Sequence, residues 1–316
     1  MLKMPALDES VLARRDRIVE DLRRIVPGEG VIDSEAGRRA YECDGLTAYR
    51  QVPMVVVLPS TTEQVAAVLR YCKAGGIKVV PRGAGTGLSG SALPLGDGVL
   101  LGMGKFNRIL DIDYANRVVA CQPGVTNLGI TKAVEADGFY YAPDPSSQIA
   151  CTIGGNVAEN SGGVHCLKYG VTTNNVLGVE LVTMDGEVLR IGGRHLDPEG
   201  YDLLGVVVGS EGLLGVVTEV TVRILRKPDT ARAVLLGFPT IEQGGACVAA
   251  IISAGIIPGG MEMMDRPAIE AAEAFVRANY PLDVESLLIV ELDGPAAEVE
   301  ELIGSVEAIA RANGAV

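Results

Sequence analysis

Histidine, paired cysteines and long apolar runs are what this 316-residue chain has least of. Its two histidines, His165 and His195, leave little from which to build a His-rich metal site or a Ser/His/Asp triad. Six cysteines, Cys43, Cys72, Cys121, Cys151, Cys166 and Cys247, form no CxxC pair and are too sparse for a disulfide framework, so they read as reduced thiols in a cytoplasmic protein. Apolar residues make up 48% of the chain. Even so, stretches such as 54–58 and 203–208 fall far short of the roughly 18 residues that a membrane helix needs, which argues against membrane insertion. Positive charge is also short: 27 Lys and Arg against 40 Asp and Glu give a net charge of −13. That field repels phosphate backbones and anionic lipid, so nucleic acid is excluded as a partner. Asp8 and Glu9 stand where an export signal would be basic.

Glycine is the abundance. There are 40 glycines, nearly twice average usage, without a three-residue period or a low-complexity tract. Glycine reaches positive φ and lets a ligand approach bare amides, so this density points to a large cofactor cradled by loops.

Hydrophobic spacing predicts a helix over 10–25, with Val11, Ile18, Leu22 and Ile25 on one face, stopped by Pro27 and Gly28. A strand over 54–58 follows, then a helix opened by Ser60 and Glu63 and closed by Gly75 and Gly76, then a strand over 77–80: a β-α-β unit. A strand over 118–122, a helix over 128–136 and an extended segment over 139–142 come next. Met184-Asp185-Gly186 joins two strands as a hairpin. Residues 203–208 and 215–224 read as further strands. After Arg226-Lys227-Pro228-Asp229 the texture becomes α+β with fewer special glycines. Strands are expected over 234–238, 261–264 and 287–292, and helices from 241, over 267–276 and over 296–312. The last helix leads to Val316, where another strand is expected, so the final domain reads as incomplete.

Three glycine-rich segments stand out. The run 81–90 contains GxGxxG from Gly85 to Gly90, but the breakers that follow, Pro94, Gly96 and Gly98 among them, forbid the helix that a dinucleotide fingerprint must open. By itself the loop reads either as an anion nest, with Thr86 and Ser89 hydroxyls and the Arg82 charge in support, or as a structural turn. Residues 152–163 form a second glycine-rich stretch, read as an amide-rich loop, and 209–212 a third. The stiff turn 143–147 carries two hydroxyls held by two prolines. Three such loops in one domain suggest one long ligand.

With the stretch 209–219, Gly-Ser-Glu-Gly-Leu-Leu-Gly-Val-Val-Thr-Glu, these motifs resemble the FAD-linked oxidases of the vanillyl-alcohol oxidase (PCMH-type FAD-binding) superfamily over about residues 40–316. The likeness is nearest to the branch that holds glycolate oxidase, D-lactate dehydrogenase and D-2-hydroxyglutarate dehydrogenase. One departure is Gly90-Ser91, where many relatives carry Gly-Gly.

The resemblance implies an α+β fold: an N-terminal helical segment over 1–50, a two-subdomain PCMH-type FAD-binding domain over 51–228, and a partial cap over 229–316. It implies that Arg82, Gly83, Ala84, Gly85, Thr86, Gly87, Ser89 and Gly90 wrap the FAD diphosphate. Pro143, Asp144, Ser146, Ser147, Thr152, Gly154, Gly155, Asn156, Asn160, Gly163 and Gly170 would line the ribityl chain and flavin, and Glu211, Gly212 and Val217 the adenosine side. Thr86 stands where covalent relatives carry a histidine, so the FAD is expected to be non-covalent. The implied activity is oxidation of a small 2-hydroxy acid, of glycolate or D-lactate type, by hydride transfer to flavin N5. The alternative is a flavin-binding subunit without turnover of its own that passes electrons to an iron-sulfur or second flavin subunit.

Relatives take their base, metal ligands and substrate-binding residues from a later His-rich region with no counterpart in 1–316, so no catalytic residue and no metal ligand is assigned. His165, within the flavin domain on this reading, and Cys166 are read as packed residues. Arg232, Arg266 and Arg277 are read as solvated, with carboxylate binding the alternative, and 261–265 as a cap strand.

Overall fold

The computed structural model describes residues 4–195 and 200–316, which divide into two compact units. The first comprises the chain to Ser161 together with Val171–Leu225, and the second Gly162–Gly170 with Arg226–Val316.

Two sheets build the first unit. In one, the strands run in the order Val31–Ile32, Val55–Val57, Gly98–Gly102, Lys78–Arg82, the last three parallel. Val55–Val57 and Gly98–Gly102 are buried along their whole length, as a parallel sheet covered on both faces requires. The helix Thr62–Gly75 makes the crossover and buries Val65, Val68, Leu69 and Cys72. Its cap lies one residue beyond the expected one: the Thr61 hydroxyl accepts from Gln64 N, and Gln64 Oε1 accepts from Ser60 N at 2.8 Å. Gly76 at φ +64° closes it. Over the first residues the expected single helix is two, Glu9–Leu12 and Arg15–Ile25. The Asp8 carboxylate caps the first, and Arg14 at the break turns its guanidinium to Gly75 O at 3.0 Å. Val11, Ile18 and Leu22 still share one core with Val55 and Leu101.

The other sheet is antiparallel, in the order Ile109–Asp113, Val118–Cys121, Val216–Arg223, Val176–Val182, Val188–Gly192. Along Val216–Arg223 every second residue is buried, so the β-branched alternation seen in the sequence sets which face meets the core. The hairpin at Gly186, φ +71°, is as expected. Leu203–Val207, expected as a strand, is a helix: the Asp202 carboxylate accepts from Gly205 N at 2.9 Å and opens it. A five-residue apolar run carries no period that separates the two forms, and the cap decides.

In the second unit, strands Thr230–Phe238, Ser286–Gly294 and Gly260–Asp265 pair antiparallel in that order, with Ser286–Gly294 central. Helices Ile241–Ser253 and Ala296–Ala312 pack on the sheet over Phe238, Cys247, Ile251, Leu288, Val290 and Val306. The α+β texture read from the sequence holds here, strand by strand.

Leu100 is fully buried between strands, whereas Leu213 is 86% exposed. Leu100→Ala is expected to destabilise by about 2–5 kcal/mol and Leu213→Ala by less than about 0.5 kcal/mol, read as shifts of the urea midpoint.

Candidate functional site: a glycine-lined cavity

A cavity of about 540 Å³ lies in the first unit, walled by residues from both of its sheets. Its lining takes in Arg82 to Ser89 after the strand Lys78–Arg82, Ser146 and Ser147, Thr152, Gly154 to Glu159, and Ser210 to Gly212 with Val216 and Val217. The three glycine-rich segments therefore do converge, but they are not three of a kind.

Residues 83–90 form no helix. Gly85 and Gly90 sit at φ +72° and +91°, conformations that side chains rarely adopt. Among the described residues, none of the amides from Gly83 to Gly90 donates a hydrogen bond to protein. At Gly87 nothing lies within 4 Å of the place a Cβ would take, so a side chain there would project into open space.

The second segment is not the amide-rich loop that its glycines suggest. Ile153–Glu159 is a helix, capped by the Thr152 hydroxyl, with Ile153, Asn156 and Val157 buried. Its glycine amides are already bonded: Gly154 N donates to Pro123 O at 2.8 Å and Gly155 N to Thr152 Oγ1 at 3.4 Å. The i, i+3, i+4 spacing of those buried residues behind a threonine is a helix-start signal, and the glycines mask it. A Cβ on Gly154 would fall 2.5 Å from Pro123 Cβ, so this glycine serves close packing, not an anion nest.

The third segment is a turn with Gly209, Glu211 and Gly212 at positive φ, pinned to the end of that helix by Gly209 N to Val157 O and Glu211 N to Ala158 O, both 2.8 Å.

Of the expected contact residues, Arg82, Gly83, Ala84, Gly85, Thr86, Gly87, Ser89, Ser146, Ser147, Thr152, Gly154, Gly155, Asn156, Glu211, Gly212 and Val217 line the cavity. Gly90, Pro143, Asp144 and Asn160 do not. Pro143 instead offers its carbonyl to Asn127 Nδ2 at 2.9 Å, and Asn160 ends the helix at φ +49° while its side chain accepts from Thr173 N at 2.9 Å. Gly163 and Gly170 belong to the second unit, as does His165, whose Nε2 lies 3.2 Å from Glu291 Oε1. Arg82 lines the wall, but its Nη1 donates to the carbonyls of Cys43, Ala92 and Tyr41 at 2.7, 3.2 and 3.3 Å.

Sequence reasoning missed Met103, Pro123 and Cys151 on the wall and named Glu159 and Ser210 only as members of their glycine-rich segments. Glu159 accepts a hydrogen bond from Ser91 Oγ. Cys151 receives Asn156 Nδ2 at 3.3 Å, and Asn156 Oδ1 receives Asn127 Nδ2 at 3.0 Å. Apart from the Glu in the helix, none of these carries a local signal. The charged groups of the wall are thus Glu159, Glu211 and the engaged Arg82.

Outside the cavity, Arg232 pairs with Glu300, Arg266 with Glu270 and Glu285, and Arg277 closes a helix at φ +54°. Gly260–Asp265 is a strand, as expected of 261–265. Cys72, Cys121, Cys151 and Cys247 are buried; Cys43 and Cys166 are half-buried. The described residues hold no cluster of three or more His, Cys, Asp or Glu fit for a metal ion, and no helix long and apolar enough to cross a membrane.

Residues 53–192 match the FAD binding domain family, and residues 227–316 match the C-terminal domain of FAD linked oxidases. The chain belongs to the FAD-linked oxidases. It is 55% identical over 287 residues to glycolate oxidase subunit GlcD of Escherichia coli, covering 91% of this chain and 58% of that one. To the D-lactate dehydrogenase of Anaerostipes hadrus it is 32% identical over 308 residues, covering 95% of this chain and 64% of that one. The chain therefore spans about six-tenths of the length of the curated relatives it matches. The fold is that of p-cresol methylhydroxylase, solved with substrate bound, at a TM-score of 0.82 and 18% identity over 98% of this chain and 66% of that one. The α+β PCMH-type architecture read from the sequence is the one observed.

The cavity fits the cofactor of this family. A run of amides without protein partners is what a diphosphate needs, and a β-carbon at Gly87, which lines the cavity, would occupy open space there.

Burial pushes the thiols of Cys72 and Cys121 up to about 12. In the unfolded chain these thiols ionise near 9.0, while in the folded chain they keep their protons. Stability is therefore expected to fall as pH rises from about 9 towards 12, read as a falling urea midpoint. Below pH 9, a thiol reagent should label Cys43 and Cys166 in the native protein and leave Cys72 and Cys121 intact.

Proposed function

We propose that the chain is the cofactor-binding part of an FAD-dependent oxidoreductase acting on a small 2-hydroxy acid of glycolate or D-lactate type. The observation that carries this reading is the unbonded amide run of residues 83–89 on the cavity wall, in a chain whose family is defined by FAD. The names of the glycolate oxidase and D-lactate dehydrogenase relatives support the substrate class.

Gly83, Ala84, Gly85, Thr86, Gly87 and Ser89 would hold the diphosphate through backbone amides and two hydroxyls. Successive amide dipoles turned to one point bind an anion without a formal counter-charge, which suits a wall whose guanidinium is already engaged by carbonyls. Ser146, Ser147, Thr152 and Asn156 would line the ribityl chain and ring, and Glu211, Gly212 and Val217 the adenosine end. Carboxylates accept hydrogen bonds, so Glu159 and Glu211 face hydroxyls better than phosphates. Bound here, FAD supplies a two-electron acceptor for the hydride released from the α-carbon of the hydroxy acid. Thr86, on the wall in place of a histidine, leaves the cofactor held without a covalent bond.

The relative's description as a subunit is consistent with a partner chain, and a second reading follows from that: this chain binds flavin and hands electrons to an iron-sulfur or second flavin subunit. Purified protein should carry flavin absorbance that acid precipitation releases into the supernatant. With an artificial acceptor, turnover of glycolate or D-lactate supports the first reading, silence with bound FAD supports the second, and failure to bind FAD on reconstitution ends both.

Gly85→Val should weaken FAD binding by about tenfold or more: it strains a left-handed residue by roughly 1–2 kcal/mol and drives a Cβ to 2.3 Å from the Arg82 guanidinium. Gly186→Val, at the φ +71° hairpin, should lower stability yet leave affinity per folded molecule unchanged. Titration calorimetry with FAD reads both.

A further inference from the structure

The loop that offers bare amides has no hydrogen bonds of its own to fix its shape, so its shape must come from beneath. Arg82 supplies the support. Its side chain runs back under the loop, and its Nη1 reaches the carbonyls of Tyr41 and Cys43, about forty residues earlier, and of Ala92 on the far side of the loop. A Cβ built on Gly85 would stand 2.3 Å from Arg82 Nη2 and 2.6 Å from Nε, so Gly85 rests on the guanidinium plane. The guanidinium also lies over the Tyr41 ring, 5.8 Å from its centroid.

The segment that receives Arg82 holds the loop a second time. Gly45 N donates to Gly87 O at 3.0 Å, and a Cβ on Gly45 would fall 2.6 Å from Thr86 O. Between these two ties lies Asp44, 5% exposed: Oδ1 accepts from Leu46 N at 3.0 Å, while Oδ2 is buried with no protein partner among the described residues. Burial draws the Arg82 pKa below its ordinary value, and the charge of Asp44 opposes that shift. Neither Gly45 nor Asp44 lines the cavity.

We propose that Arg82 is a positioning residue, a strut that ties residues 41–46 to the loop 83–90 and fixes the direction of its amides, and that it is not the counter-ion of the diphosphate. This rests on the FAD reading above, and it reverses the role that charge alone suggests for an arginine beside a phosphate loop. A strut needs the flat guanidinium on which Gly85 rests, which lysine lacks; a counter-ion needs only the charge, which lysine keeps.

FAD affinity of the full chain, per folded molecule and at several salt concentrations, separates the two. Expected are about tenfold or greater losses in both Arg82→Lys and Gly45→Ala, with the salt dependence of wild type retained in both. Arg82→Lys binding within about threefold of wild type, or normal binding by Gly45→Ala, would each overturn the proposal. Hydrogen exchange of the FAD-free proteins gives a readout that does not depend on the cofactor. Peptides over 41–46, where the amides of Gly45 and Leu46 are bonded, should exchange faster in both variants while the strand Val216–Arg223 stays as protected as in wild type. Unchanged exchange over 41–46 rejects the strut even if wild type binds no FAD, whereas that last result by itself would remove only the reading beneath. Should Arg82→Lys fail to fold, Arg82→Gln, which removes the charge, takes its place: wild-type salt dependence of FAD binding supports the strut and a flatter one overturns it.

Discussion

Backbone amides that are to bind an anion must stay free of protein partners, and a chain segment without partners has nothing internal to hold it still. The loop 83–90 lives under that constraint. Its glycines allow the close approach and the left-handed turns, but they also make it the segment with the most conformational freedom to lose. The first unit answers with support from outside the loop: the parallel sheet beneath, the Arg82 guanidinium across three carbonyls, and the 41–46 backbone pressed against Thr86 and Gly87.

Glycine does three separate jobs around the one cavity. In 83–90 it exposes amides. In the helix Ile153–Glu159 it lets the first turn lie against Pro123, with every relevant amide bonded. In 209–212 it makes a turn whose amides finish that same helix at Val157 and Ala158. The wall is therefore built outward from one capped helix, to which Asn127, Asn156 and Cys151 add a buried side-chain network. Buried polar groups that satisfy one another in this way rigidify a wall against which a long ligand must be laid.

The second unit has its own core and its own polar anchor. Asp293, nearly buried, takes Lys168 Nζ at 2.5 Å and the Tyr169 hydroxyl, and Glu291 two residues earlier on the same strand face meets His165. Gly162–Gly170 is thus held by the sheet of the second unit, although the chain on both sides of it belongs to the first. Gly260 is part of the reason: a Cβ there would fall 2.9 Å from Val164 Cγ1, so only glycine lets the segment lie on the strand.

Local patterns settled a good deal of this protein. The alternation along 216–223, the hairpin at Gly186, the helix 296–312 and the refusal of 83–90 to open a helix are all written in spacings of a few residues, because side-chain periodicity and positive-φ glycines act over that range. Leu203–Val207 and Ile153–Glu159 escape such patterns, since an apolar run hides the cap at Asp202 and glycines hide the one at Thr152. What no local pattern contained was which amides end up bonded and where a long side chain comes to rest. Arg82 beside a phosphate loop suggests a charge; only the folded chain brings Tyr41, Cys43 and Ala92 within its reach, since hydrogen bonds to distant carbonyls depend on the path of the whole backbone and not on neighbours in sequence.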